Sequence, residues 1–330
     1  MQTTIKSSAT FDGTGLHSGA PVRLDICPAP MGHGIVFERT DVTSGEARIP
    51  ALWDAVTPSK LCTLIENADG VSVSTIEHVM AALAGCGIRN ALVRIDGPEV
   101  PILDGSSAPF VAGILEQGIL QQGGALRGLR ILRAVEVRDG AAVARLEPGR
   151  DTLEIDFEID FADAAIGHQE KHLNMANGAF LRELMDSRTF CRQADVDFMR
   201  ANGLALGGTM ENAVVVDGDR VLSPGGLRHA DEAVRHKMLD ALGDLALAGA
   251  PILGRYIGHR AGHAMTNRLL RALFADPTAF AWVDLTPAEA SVLPGAGLEA
   301  PQYRTLVQAH DLARAGASRR AATPSGRAFH

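Results

Sequence analysis

The stretch VRHKMLDALGDL, Val234 to Leu245, decides how this chain is read. Val234, Met238, Ala241, Leu242 and Leu245 recur at helical spacing and form an apolar stripe for a core. The helix predicted around them runs from Asp231 to Ala248. His236 and Asp240 lie off that stripe, four residues apart, so their side chains face the same way, and Asp244 continues the row one turn later. A neutral imidazole and a carboxylate on adjacent turns make a natural pair of zinc ligands. The plainer reading is a solvated face carrying a His–Asp pair, and it accounts for most such spacings. It is weakened here because Gly243, Leu247 and Gly249 flank the row and do not form a typical wet face.

Outward from there, STIEHVMAAL (Ser74 to Leu83) predicts a helix over Thr75–Ala84, with Ile76, Val79, Met80 and Leu83 burying one side. Ser74 and Glu77 fit a capping box, so Glu77 has a plain reading as a helix-start residue. His78 points toward Ala81, Ala82 and Gly85, where small residues suggest that another backbone or a cavity comes close. A lone His at a helix start is usually structural. This one gains weight because the other helix already offers two of three ligands. In GHRAGHAMTN (Gly258 to Asn267), His259 and His263 mimic a metal pair, but two glycines argue against a regular helix through both. His263 instead stands at the entrance to a helix predicted over Met265–Ala275, placed to serve as an acid rather than a ligand. GTGLHSG (Gly13 to Gly19) lacks the spacing and the βαβ context of a dinucleotide loop and reads as a tight turn between strands.

The 330 residues are enough for two cores. A hydrophobic share of 46% and a charged share of 21% are ordinary for a globular chain. The formal charge of −8 gives no reason to expect nucleic acid as a partner, so a phosphorylated substrate needs a local basic cluster. No window approaches the roughly 18 apolar residues of a membrane span, and Met1 to Thr10 carries no secretory signal. Cys27, Cys62, Cys86 and Cys191 are scattered, which suits a reducing cytoplasm and leaves His and carboxylate as metal ligands.

The chain divides into halves. Strands are expected at Val22–Ile26, Gly34–Phe37 and Ala91–Ile95, then at Leu129–Val137, Ala142–Leu146, Thr152–Phe157 and Ala213–Val216. A further helix is expected at Ala179–Met185, and Gln121 to Gly124 reads as a linker. Asn90 to Val93 before Asp96-Gly97 loosely echoes Asn212 to Val215 before Asp217-Gly218, a hint of duplicated domains. After Pro301 the chain turns small and polar, which reads as a mobile tail.

These motifs resemble the UDP-3-O-acyl-N-acetylglucosamine deacetylases of lipid A biosynthesis. STIEHVMAAL, VRHKMLDALGDL and GHAMTNRLL carry the resemblance. GTGLHSG, KLCT (Lys60 to Thr63), PILDGSSAPF (Pro101 to Phe110), SRTF (Ser187 to Phe190) and GLALGG (Gly203 to Gly208) extend it, in order, from the N-terminus to about Ala275. It implies an α+β fold of two similar domains, each a β-sheet packed on helices, with the helices sandwiched between the sheets. The expected domains are 1–122 and 127–300, with an acyl-passage unit inserted at about 191–216 and the tail at 301–330. One zinc ion per chain is implied, on His78, His236 and Asp240. Glu77 is implied as general base, His263 as general acid, Asp244 as the group that orients and charges His263, and Thr189 as an oxyanion donor. On the substrate side the resemblance implies Lys237 and Phe190 for the sugar and Arg260, where the family carries Lys, near the diphosphate. It adds Leu61 and Cys62, and Leu204, Ala205, Gly208, Thr209 and Val215 for the acyl passage. The expected partner is the small-molecule substrate alone, for a cytoplasmic monomer without membrane insertion. Two rivals stand: a hydrolase of another small amide or nucleotide sugar on the same scaffold, and a silent binding protein. Intact Glu77, His263 and ligands argue against the second.

Overall fold

In the computed structural model, residues 1–59 and 61–298 are described; Lys60 and the tail expected at 301–330 lie outside them. The first half runs β1 (Gln2–Ile5), β2 (Ala9–Thr14), β3 (Pro21–Pro28), β4 (Ile35–Arg39), β5 (Arg48–Pro50), β6 (Val56–Thr57), β7 (Leu64–Glu66), β8 (Ser72–Ser74), α1 (Glu77–Gly85), β9 (Ala91–Ile95), α2 (Ala108–Gln117) and β10 (Ile119–Gln122). The second runs β11 (Arg127–Ile131), β12 (Val135–Asp139), β13 (Ala142–Glu147), β14 (Leu153–Asp160), β15 (His168–Asn174), α3 (Ala179–Glu183), β16 (Phe190–Arg192), α4 (Gln193–Ala201), β17 (Val214–Asp217), β18 (Arg220–Val221), α5 (Glu232–Ala246), β19 (Ile252–His259), α6 (His263–Ala275), β20 (Phe280–Asp284) and α7 (Pro287–Ala290).

The two main sheets share one topology. The first has the order β2-β3-β9-β4-β5. Its central strand β9 pairs antiparallel with β3 (Leu24 opposite Ile95) and parallel with β4 (Ile35 opposite Ala91). In the second, β19 pairs antiparallel with β13 (Val143 opposite His259) and parallel with β14 (Leu153 opposite Gly254), while β12 and β15 flank β13 and β14. Strands β11 and β20 extend that sheet beside the start of β19. Each half therefore runs five strands, a small inserted sheet, a helix, a central strand and a helix. The fold is α+β.

This repeat corrects the short sequence echo. β9 answers to β19 and not to β17, which belongs to the small inserted sheet β16-β17-β18. Three other readings are also corrected. Gln121 and Gln122 are not linker but strand, paired with Thr3 and Gln2, so the turn narrows to Gly123-Gly124. Leu129–Val137 is two strands with a break at Leu132 to Ala134. Helix α2 was missed, because Pro109 and Gly113 interrupt its pattern.

Strand β14, LEIDFEID, shows why the sheets face one way: Leu153, Ile155, Phe157 and Ile159 are buried and the acids between them are not. All nine residues of α1 are buried, as expected for a helix enclosed on every side. Nine residues are too few for an isolated helix, so packing holds it. Fully buried Ile76, Val79, Met80 and Leu83 each stabilise by about 1.5–3 kcal/mol. Its main partner is α5. At Gly243 the two backbones touch: a Cβ there would overlap the Glu77 carbonyl. No described helix is long and apolar enough to cross a membrane.

Candidate metal and catalytic centre

The close contact at Gly243 sets His78, the second residue of α1, opposite His236 and Asp240 on α5. The three buried side chains bring their ligand atoms within 4.8 Å of one another. Asp240 Oδ1 stands 3.3 Å from His236 Nε2 and 3.7 Å from His78 Nε2. That oxygen is buried without a hydrogen-bond partner among the described residues. Burial, joined by the neighbouring His236, pushes His78 down to about 3, and burial lowers His236 too. Both rings are thus neutral. His236 Nδ1 donates to the Ser187 carbonyl at 3.0 Å, which leaves Nε2 free toward Asp240. Burial opposes ionisation of Asp240, but the charges around it, the Lys237 ammonium and the His263 imidazolium among them, outweigh burial and lower its pKa. Its Oδ2 accepts from Lys237 Nζ at 2.9 Å. An orphaned carboxylate oxygen facing two neutral imidazole nitrogens is a donor set that a cation completes.

Glu77 and His263 adjoin this set. His263, the first residue of α6, donates from Nδ1 to Asp244 Oδ2 at 2.8 Å. Its Nε2 lies 3.7 Å from Glu77 Oε1 and 3.9 Å from Asp240 Oδ2. Burial disfavours the imidazolium, yet Asp244, Glu77 and Asp240 outweigh burial and raise His263 to about 9. Burial pushes Glu77 up to about 7, with Asp240 and Asp244 adding and His263 opposing. The capping box does not form. Ser74 belongs to β8, Ile76 is the N-cap, and the Glu77 carboxylate turns inward to accept from Thr63 N at 3.0 Å. Thr63 Oγ1 also donates to Asp244 Oδ1 at 2.5 Å, so one residue tethers both carboxylates. His259 takes no part; it pairs with Glu158 at 3.0 Å.

A cavity of about 970 Å³ opens above this floor. Glu77, His78, His236, Lys237, Asp240, His263 and Thr189 line its polar end. Leu61, Phe190, Leu204, Ala205, Gly208, Thr209, Val215 and Arg260 also line it, as do Phe161, Val196 and Phe198, which the sequence reading passed over. Cys62 does not. It is buried, with Sγ 3.4 Å from Ser59 Oγ, beside the lining residues Ser59 and Leu61. Asp244 sits behind His263 rather than in the cavity. Arg260 reaches the cavity already paired with Asp160.

Sequence reasoning missed Glu232. It is 1% exposed, one turn before His236. Its Oε1 accepts from Arg188 N at 3.0 Å and Nε at 2.9 Å, and its Oε2 from Arg188 Nη2 at 3.1 Å and Arg228 N at 2.6 Å. Arg228 continues to Asp104 of the first half at 3.0 Å and to the Asp186 carbonyl at 2.7 Å. These bonds pin the segment that carries the Ser187 carbonyl and Thr189. The available signal was position: Glu232, His236, Asp240 and Asp244 form one row at four-residue spacing.

Residues 2–275 match the family described as UDP-3-O-acyl N-acetylglycosamine deacetylase. Among curated relatives, the UDP-3-O-acyl-N-acetylglucosamine deacetylase of Phenylobacterium zucineum strain HLK1 is 50% identical over 280 residues, 85% of this chain and 95% of that protein. Proteins of the same name from Shewanella violacea and Shewanella woodyi are each 46% identical, over 295 and 294 residues, covering 88% of this chain and 96% of theirs.

Proposed function

The chain belongs to the UDP-3-O-acyl-N-acetylglucosamine deacetylase family, and on that premise we propose that it hydrolyses the N-acetyl group of UDP-3-O-(3-hydroxyacyl)-N-acetylglucosamine, with one zinc ion, to acetate and UDP-3-O-acyl-glucosamine in lipid A biosynthesis. The observation that carries this reading is the orphaned Asp240 Oδ1, facing two neutral imidazoles at the end of a cavity with a long apolar wall. His78, His236 and Asp240 would hold the zinc. When bound, zinc supplies a Lewis acid and lowers the pKa of a coordinated water toward about 7.

The remaining roles fall to the chain's own groups. Glu77, with its pKa near 7, takes the proton of the attacking water. His263, held cationic by Asp244, delivers a proton from Nε2 to the departing amine, and its charge offsets that of the developing oxyanion. Thr189 adds a hydroxyl for the oxyanion at the same end, and Lys237 holds the sugar. Phe190 stands against the sugar, and Arg260 would exchange Asp160 for the diphosphate. Leu204 to Val215 would receive the acyl chain. We further propose a cytoplasmic monomer; the four cysteines are all free, as thiols are kept in a reducing compartment.

Metal analysis combined with an assay on acylated and unacylated UDP-GlcNAc tests site and substrate together. The expected result is one metal per chain, activity abolished by a chelator and restored by substoichiometric zinc, and strong preference for the acylated substrate. Each buried methylene adds at most about 0.8 kcal/mol, so a chain of ten or so carbons supplies several kcal/mol. Full activity without metal would remove zinc from the reading. Equal efficiency on both substrates would remove the acyl chain and leave a plain nucleotide-sugar deacetylase.

A further inference from the structure

A second cleft, of about 140 Å³, lies between the halves and shares no lining residue with the first. Met80, Leu83 and Ala84 of α1 and Leu242, Leu245 and Ala246 of α5 form much of its wall. A space of this size accommodates a small apolar group such as a six-carbon tail. One charged side chain interrupts the apolar lining. Arg89, half-buried just before β9, makes a single side-chain hydrogen bond among the described residues, from Nη2 to the Pro294 carbonyl at 3.3 Å.

A guanidinium has five N–H donors in a planar fork, and a carboxylate matches two of them at once. Arg188 shows how this chain treats a buried guanidinium when the purpose is structural: Glu232 meets it with both oxygens. Arg89 has no such acid among the described residues, and burial draws its pKa down to about 10 with nothing pulling the other way. The Arg89 side chain is half-buried at the edge of the cleft. Beside an apolar cleft it supplies the half of an ion pair that a ligand would complete.

We propose that this cleft is a binding site for a carboxylate with a short apolar tail, the carboxylate bidentate on Arg89 and the tail between α1 and α5. No covalent step is involved. The two helices it would touch are those that carry His78 and His236, on residues other than the metal set.

The probe is hexanoate, titrated by calorimetry into the full chain, with 1-hexanol and acetate as controls for charge and tail. Hexanoate should bind, and both controls should bind at least about tenfold more weakly. Arg89→Met should weaken hexanoate by about tenfold or more, while Arg89→Lys keeps part of the affinity. Without ligand, Arg89→Met should melt no lower than the parent chain, because the half-buried guanidinium has no acid to hold among the described residues. A lower melting temperature would assign the guanidinium to the fold and overturn the proposal. So would equal binding of hexanol, no hexanoate binding at millimolar concentration, or affinity that Arg89→Met leaves unchanged.

Discussion

The floor of the large cavity and its wall are built by opposite means. On the floor Glu77, His78, His236, Asp240 and Asp244 are each 3–4% exposed. On the wall Phe198 is 70% exposed, Leu204 38% and Met210 36%. Polar groups are enclosed and apolar groups are left out, the reverse of ordinary partition. The floor lies on α1 and α5, the equivalent helices of a repeated unit, whose backbones touch at Gly243 and leave no room for a side chain. Much of the wall lies on the insertion between β15 and α5, where Phe198, Leu204 and Met210 are left exposed. Fixed groups suit bond-breaking, and an unfilled apolar surface suits a flexible chain.

The largest effect should come from the floor's orphaned oxygen. Asp240→Ala removes the only anion among the proposed metal ligands, so metal content should fall to near zero and turnover to background. Elemental analysis beside the assay checks this. A variant that keeps a full complement of metal would show that the floor is not the metal set.

Next in size are Glu77→Ala and His263→Ala. Each should cost about 10²–10⁴ in turnover, the usual worth of a general base or acid, while metal stays bound. Metal loss in either would move that residue into the ligand set and erase the division of labour within the floor.

The floor was also the more legible region. HxxxD on a helix with an unusual flank, and a His beside small residues, announce themselves because helical spacing converts sequence distance directly into direction. Glu232 lay on the same row and went unread, because its partners Arg188 and Arg228 are distant in sequence and only the fold brings them to it. Glu77 was legible as a residue but ambiguous in role, since a capping glutamate and an inward-turned base look alike until Thr63 is placed. The repeat was hinted at but set on the wrong strand, because topology rather than sequence is repeated: β9 and β19 share pairing rules. The wall was legible only through resemblance, as apolar residues in an insertion read equally well as packing.

Asp244→Asn should produce a shift rather than a collapse. His263 at about 9 and Glu77 at about 7 place the basic and acid limbs of kcat/KM, before a bound cation draws them lower. Asp244 raises both groups. His263 must be protonated, so activity is lost as pH rises through its pKa. Removing the charge that raises it moves this limb to lower pH, by about one unit or more. Glu77 must be ionised, so activity is lost as pH falls through its pKa, and losing a nearby like charge moves that limb down as well. A profile that stays in place would detach Asp244 from the acid and reduce it to a packing partner of Thr63.

The smallest effect tests the wall. Phe198 on α4 is mostly exposed, so Phe198→Ser should change stability by no more than about 0.5 kcal/mol. On the packing view its effect on catalysis is nil. On the passage view the ring covers one or two methylenes of the acyl chain, each worth at most about 0.8 kcal/mol. That predicts an efficiency loss of up to about tenfold on the acylated substrate and none on the unacylated one. The loss should appear mainly in KM, because the ring lies on the wall, apart from the groups that act on the amide. Equal losses on both substrates would mean the ring acts on the floor through the fold. No loss on either would leave the exposed apolar wall without a ligand, and the contrast with the floor would become one of burial alone.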